Sequence, residues 1–496
     1  MSTKKAVSKL LLLLLTFCIL LTAVACKKDK EKQPMNSGDD TTDVSNVQLA
    51  FPKTDYKSEF VVLYPDWGMY KDFFFADEGQ EGETVASEII NRTNLVYDYL
   101  GVDVIGMPVV SAGGTQEIYR IAPIVSTAVQ SQTDSYQLVL THTYGSVSTL
   151  VGGNYLLDFY DFDHINLEAD YWNKQALEEL EVQGSAYLAL SEYMLADPNA
   201  VFFNKQMLQD YEQLESPYKL VEDGRWTYEM MFQMASQVDF DNESLKNPLD
   251  GTYGFGAMAD WQFISFVDSC DVDWIVDDGG YLALNMGTAN ERYVNVVDTV
   301  TEMIKQDWTY LYSYQEGNDI TKKLDITQGK TLFTIDALHS AYGYRESEVK
   351  FGILPYPKYD TEQKEYQSFN WSGMMCVPRS VKNQEMVEKT LEALAYFSVE
   401  TTTVAYYEKL LGARLSEAPE DKAMLDVIFD GIVLNKVINF ISEYDTDLGS
   451  LVYTLSVMTA EIENTGSAST SVMGNWNKYN LNGTGAAQII FDEYFN

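Results

Sequence analysis

One stretch constrains the fold more than any other: FNWSGMMCVPRSVKNQEMVEKTLEALAYFSVETTTVAYYEKLLGARL, from Phe369 to Leu415. It opens with an apolar, strand-like run from Gly373 to Val377. Pro378 stops that run, because proline has no N–H to give a sheet ladder. Ser380 to Asn383 is a polar start signal, after which Val387, Leu391, Leu394 and Phe397 put one apolar face on a helix. Thr401 to Thr403 is placed to cap a second helix, ending near Leu411 with Gly412 as its C-cap. The order is strand, helix, helix, then a new segment from Ala413.

The N-terminus sets the compartment. Lys4, Lys5 and Lys9 precede an apolar or small-residue run from Leu10 to Ala25, which ends at Cys26. That run is short for a membrane span but right for the apolar core of a signal peptide. Ala23-Val24-Ala25 before Cys26 resembles a lipoprotein signal box, with Ala23 where that box prefers Leu. The resemblance implies a signal peptide over 1–25 and a diacylated Cys26 as membrane anchor. From Lys27 to about Asn46 there is almost nothing to bury, so 26–54 is expected to be a flexible tether.

The 496 residues carry a formal net charge of -40, which argues against nucleic acid, since phosphate binding needs a positive face. The same charge keeps the body off anionic lipid except at its anchor. Aromatics make up 13% of the chain, which suits stacking on sugar rings. Cys270 and Cys376 could form one disulfide. There is no CxxC, the three histidines are far apart, and the D-x-D-x-D-G spacing is absent around Asp271–Asp278, so no metal is expected. Gly329-Lys330-Thr331 lacks the upstream glycine of a phosphate loop, and Asn370-Trp371-Ser372-Gly373 is not a nucleophile elbow. No cofactor fingerprint is present.

Strand and helix signals alternate from residue 59. Glu59–Tyr64, Val102–Ile105 and Tyr136–Leu140 read as strands, separated by helices over Thr84–Leu100 and Thr115–Gln130. This alternation predicts a parallel sheet covered by helices, with ligands beyond the carboxyl ends of its strands. The loops Asp66–Tyr70 and His142–Ser146 therefore stand out. Further along, Ala186–Leu195, Ala200–Phe203, Tyr253–Phe255 and Thr331–Ile335 read as strands. Asn204 reads as a helix N-cap, Arg225 to about Val238 and Asn290–Gln306 as helices, and Val272–Ala283 as a hairpin.

The order around 369–415 resembles the C-terminal third of bacterial extracellular solute-binding proteins, the capture subunits of ABC importers, and within them the carbohydrate-binding group. Phe203-Asn204-Lys205, the strand and loop of Gly329–Arg345 and the run KFGILPYP at 350–357 carry further likeness. The resemblance implies an α/β, two-lobed periplasmic-binding-protein-like fold of type II. Its first lobe would hold 55–157 and 374–411, its second 158–373 and 412–496. It implies a monomeric, non-catalytic receptor on the extracytoplasmic face, lipid-anchored, that passes a small solute to membrane permease subunits. A sugar or oligosaccharide fits best; a peptide or other solute, or a lipid-anchored glycan-processing hydrolase, remain the alternatives. The expected ligand residues are Trp67, His142 and Tyr144 on the first lobe, Trp261 and His339 on the second, and Trp371 and Arg414 at the crossings. The Arg414 guanidinium fork could clamp hydroxyls or a carboxylate.

Overall fold

The structure is a computed structural model. It describes residues 47–475 except 68–69, 71–73, 77–83, 114, 143–144, 146, 239–246, 260, 279–280, 286–289, 314–323, 325, 345–346, 371–372, 411–418, 436–439 and 441–452; beyond 475 it describes residue 492 alone. No helix among the described residues is long and apolar enough to cross a membrane. Cys26 and the expected signal peptide lie outside the described residues.

The first sheet follows the strand–helix alternation. Its parts are β1 (Ser58–Pro65), α1 (Thr84–Leu100), β2 (Val102–Val109), α2 (Glu117–Gln130) and β3 (Leu138–Thr141). Strand β1 pairs in parallel with β2 on one side (Phe60 opposite Val104) and with β3 on the other (Val62 opposite Leu138). Helix α2 buries Ile118, Ile121, Ala122, Val125 and Ala128, one stripe of an amphipathic helix. Helix α1 stops at Gly101, whose φ of +61° suits glycine, and a Cβ there would lie 2.2 Å from Asp55 Oδ1. That contact belongs to a stretch already docked on α1. Phe51 is buried, Tyr99 donates its hydroxyl to Phe51 O at 2.8 Å, and Thr54 N donates to Tyr99 O. Packing therefore begins inside the stretch expected as tether, because Phe51 supplies the apolar surface that the residues before it lack.

The second sheet is mixed. It comprises β4 (Asn199–Asn204), α3 (Tyr228–Ala235), β5 (Tyr253–Met258), α4 (Ile264–Ser269), α5 (Glu291–Ile304), β6 (Thr309–Tyr312), β7 (Thr331–Ala337) and β8 (Phe351–Leu354). The strand order is β8-β4-β7-β5-β6. Strands β5, β6 and β7 run parallel, while β4 is antiparallel to both β7 and β8. Every residue of β4, β5, β7 and β8 is buried, as expected for strands covered on both faces. Asn204 caps the turn after β4 by accepting from Gln206 N and Met207 N, which confirms its capping role. The hairpin forms between Ile275–Asp278 and Tyr281–Leu284.

The chain then returns to the first sheet. Strand β9 (Ser368–Phe369) leads into β10 (Met374–Cys376), which adds to β3 in antiparallel fashion, Met375 opposite Leu140. The first sheet is thus ordered β10-β3-β1-β2. Helix α6 (Gln384–Ser398), capped by Asn383, packs on α1. The expected second helix forms over Thr402–Val404 and continues as a π-helix over Ala405–Leu410. Threonine caps nothing there: Thr401 Oγ1 donates back to Phe397 O at 2.6 Å, and the β-branched run of 401–404 disfavours a regular helix. Helix α7 (Pro419–Asp430) packs on β8, so the chain has by then rejoined the second sheet. β11 (Ile432–Val433) pairs with β9, and α8 (Thr454–Thr465) packs on α5.

Parts of 158–192, expected with the second lobe, lie on the first sheet and on α6: Ala189 bridges β10, and His164 and Trp172 reach carboxylates of α6. Ala189 exchanges both backbone hydrogen bonds with Met375, and Leu157 N donates to Val377 O. Ala186–Leu195 does not form the expected strand. Its pairing is confined to isolated bridges because β10 offers only three residues and the chain turns at Ser191, whose carbonyl accepts Met194 N at 2.8 Å. Cys270 and Cys376 are both buried free thiols, which removes the disulfide alternative.

Candidate functional site

Two strand ends of the first sheet carry the first half of the site. β1 ends at Pro65, and Asp66 N still donates to Val109 O, so Trp67 projects from the sheet's carboxyl edge. Its neighbour β3 ends at Thr141, followed by His142. The Trp67 and His142 rings meet edge to face at 4.9 Å between centroids. Trp67 is 38% exposed, whereas His142 is buried. That burial pushes the His142 pKa down to about 3, so the imidazole is neutral. Tyr70 backs His142 at 6.3 Å and donates its hydroxyl to Thr141 O at 2.7 Å. Gly373 explains why the crossing strand begins with glycine. A Cβ there would lie 2.1 Å from Thr141 O and 2.2 Å from the Tyr70 hydroxyl. Backbone from the second sheet thus arrives directly beside the His142 strand end.

The carboxyl ends of β5 and β7, parallel neighbours in the second sheet, carry the other half. Trp261 opens a 3-10 turn after β5 and is half-buried. The adjoining Gln262 is held by the buried Asp336 carboxylate near the end of β7: Gln262 Nε2 donates at 2.8 Å, and the Tyr344 hydroxyl and Ala337 N donate to the same group. His339 follows β7. Its backbone N donates to Asp197 Oδ1 at 2.9 Å, and its ring Nδ1 lies 2.6 Å from Asp197 Oδ2.

Asp197 stands on the first passage between the sheets. It is buried, and its N–H donates to Asn370 Oδ1 at 2.9 Å, while Pro198 and Asn370 form a β-bridge. The outgoing segment at 197–199 and the incoming one at 369–370 therefore run side by side, and Asp197 holds His339 through its carboxylate and Asn370 through its N–H. The β10 strand has β3, with its His142 end, on one side and Ala189 on the other.

The structure thus unites Trp67 with His142, and sets Trp261 and His339 on one edge of the second sheet. Tyr144, Trp371 and Arg414 lie outside the described residues. Sequence reasoning missed Asp197, Asn370 and the Asp336–Gln262–Tyr344 cluster, because Asp-Pro-Asn at 197–199 reads only as a turn. The acidic loop around Asp161, Asp163 and His164 is tied to α6. His164 Nδ1 lies 2.8 Å from Glu388 on α6, and one turn along Glu392 accepts Trp172 Nε1 at 2.8 Å and the Tyr171 hydroxyl. These carboxylates clamp the loop to the helix.

No family model and no curated protein sequence matches the chain. Solved structures do. The GacH receptor of Streptomyces glaucescens, studied unliganded and with acarbose, superposes with a TM-score of 0.55 at 14% identity, over 85% of this chain and 98% of that one. The maltose-binding periplasmic protein MalE of Listeria monocytogenes, in complex with maltose, gives 0.53 at 13% identity, over 88% of this chain and 97% of that one. The fold is therefore the two-lobed α/β architecture of these binding proteins, as the order around 369–415 implied.

Proposed function

We propose that the protein is a non-catalytic solute receptor of the extracytoplasmic face, anchored through lipid on Cys26, that captures a sugar or oligosaccharide between its two lobes and hands it to the permease of an ABC importer. The first lobe is built on the β10-β3-β1-β2 sheet and includes residues 158–197 and 374–410. The second is built on the β8-β4-β7-β5-β6 sheet and includes the described residues of 198–370 and of 419–475. The observation that carries this reading is the placement of Trp67 and His142 at the first sheet's carboxyl edge, beside the strand that crosses between the sheets. An exposed indole offers an apolar platform to a sugar ring, and the buried His142 ring supports it from behind. Both structural neighbours named above were solved with carbohydrate ligands, which supports that ligand class. Tyr144, Trp261, His339, Trp371 and Arg414 complete the proposed ligand set, with His339 held in orientation by Asp197.

Capture at micromolar concentration needs about 8 kcal/mol, within reach of a few stacked rings and several hydrogen bonds. Calorimetry against a panel of mono- and oligosaccharides, run alongside a product assay, tests the reading. A saturating sugar recovered chemically unchanged is expected. Product formation would instead favour a glycan hydrolase, and binding confined to peptides would remove the carbohydrate assignment.

A further inference from the structure

Arg92 is the least expected buried residue of the first lobe. It lies on the apolar face of α1, three residues after Ile89 and four before Val96, and has no exposed surface. No carboxylate pairs with it among the described residues. Its Nη2 donates to Phe74 O at 3.0 Å, its Nη1 reaches Thr402 Oγ1 at 3.5 Å, and its guanidinium carbon lies 4.6 Å from the centre of the Tyr193 ring. Its Nε has no hydrogen-bond partner among the described residues. A buried cation held only by neutral groups is a poor way to stabilise a core, and an aliphatic side chain would avoid the desolvation. What a guanidinium supplies instead is reach, because its planar fork addresses several elements at once.

Those elements are the ones the site depends on. Phe74 follows Trp67 and Tyr70 in the sequence after β1, and the rings form a continuous series: Trp67 on His142, His142 on Tyr70, Tyr70 on Phe74, and Phe74 on Tyr193 at 5.5 Å. Tyr193 lies on the approach to the Asp197 crossing. Thr402 begins the stretch that leads back toward the second sheet, and its neighbour Thr403 donates to Glu192, next to Tyr193, at 2.8 Å. We propose that Arg92 is a positioning residue that couples the Trp67-bearing ligand loop to the outgoing and returning passages between the lobes, so that loop geometry and lobe angle change together. This rests on the receptor reading above. A guanidinium shared by three elements transmits a shift in any one of them to the others, which is the physical content of coupling between a contact loop and a hinge.

The test uses the full chain carrying Arg92→Met or Arg92→Lys. Hydrogen exchange in the ligand-free protein is followed at the amides of Phe74, Tyr193 and Thr402, and sugar affinity is measured with the best ligand of the parent. Coupling predicts that R92M accelerates exchange at all three together and weakens binding roughly tenfold, with R92K, which keeps the charge but not the fork, in between. Exchange confined to one of the three, or parental affinity in R92M despite a lowered melting temperature, would reduce Arg92 to packing and overturn the proposal. If R92M does not fold, Tyr193→Leu removes only the ring under the guanidinium and is read in the same way. A parent that binds no sugar defeats the carbohydrate reading, while the exchange comparison still decides whether Arg92 couples the three segments.

Discussion

Acid stability offers a stringent check on the site, because two buried groups push it in opposite directions. His142 titrates near 3 in the folded protein, through desolvation, against about 6.5 when exposed. Between those values the unfolded chain binds a proton that the folded chain refuses, so His142 costs about 1.4 kcal/mol of stability for each pH unit below 6.5. Asp268 on α4 is also fully buried. Desolvation raises its pKa to about 7, a hydrogen bond from Asn435 opposes the rise, and the Glu179 carboxylate adds to it. Here the folded state holds the proton and the unfolded state releases it, so stability increases as pH falls from 7 toward 4. From pH 6.5 to 4.5 the two effects are each about 2–3 kcal/mol and nearly cancel. Single variants separate them. Asp268→Asn removes the acid gain, and should be more stable than the parent at pH 7.5, with the advantage shrinking toward pH 4. His142→Asn removes the acid loss, and its packing defect is independent of pH, so its stability should fall less steeply than the parent's below pH 6.5. Urea unfolding at half-unit pH intervals gives the slopes, and differences from the parent cancel the many surface carboxylates. Parental slopes in both variants would refute the assignment of a neutral imidazole and a protonated acid.

Three further outcomes follow from the same contacts. Trp67→Ala should weaken sugar binding by about 1–2 kcal/mol, near the worth of one stacked ring and its buried area, with no change in melting temperature; titration calorimetry and scanning calorimetry together check it. Asp197→Ala removes two charge-assisted bonds to His339 and should cost about 2–3 kcal/mol of stability while also weakening binding, because His339 loses its orientation; unfolding and titration of the same sample decide this, and parental values in both would show that His339 needs no tether. Glu392→Leu strands the buried Trp172 indole N–H and the Tyr171 hydroxyl and should cost about 3 kcal/mol in urea unfolding with sugar affinity unaltered.

Much of the first lobe was legible because local pattern and tertiary role agree there. Helix α1 runs from Thr84 to Leu100 as its periodicity indicates, and β1, β2 and β3 are parallel because two helices separate them. The second sheet was less legible. Its strands are buried on both faces, and an apolar run such as Val201–Phe203 carries no information about direction, so the antiparallel insertion of β4 beside β7 could not be read. The strand expected at Ala186–Leu195 failed for a related reason: its composition favours pairing, but the structure provides little partner. Residues that hold the site were the hardest to see. Asp197 is far in sequence from His339 and Asn370, and only the fold brings the three together. Arg92 did leave a trace, since it falls at core spacing between Ile89 and Val96.

Aromatic content shows why composition alone could not have located a sugar site. Tyr70, Tyr193, Tyr293, Tyr312, Tyr356, Tyr406 and Tyr453 rank among the largest fully buried side chains, so much of the tyrosine signal belongs to packing. Tryptophan discriminates better. Trp172, Trp226, Trp274 and Trp308 are buried; Trp226 and Trp172 also donate their indole N–H groups, to Pro355 O and to Glu392. Among the described tryptophans, Trp67 and Trp261 keep accessible surface, and both stand just beyond the carboxyl end of a central parallel strand, one in each sheet. A large apolar ring left exposed forgoes the gain of burial, about 25 cal/mol per Å², and the same surface becomes available to an apolar partner. Two such rings stand at equivalent edges of two sheets joined by crossing strands, which is the arrangement the proposed receptor requires if each lobe is to offer its own apolar surface to the ligand.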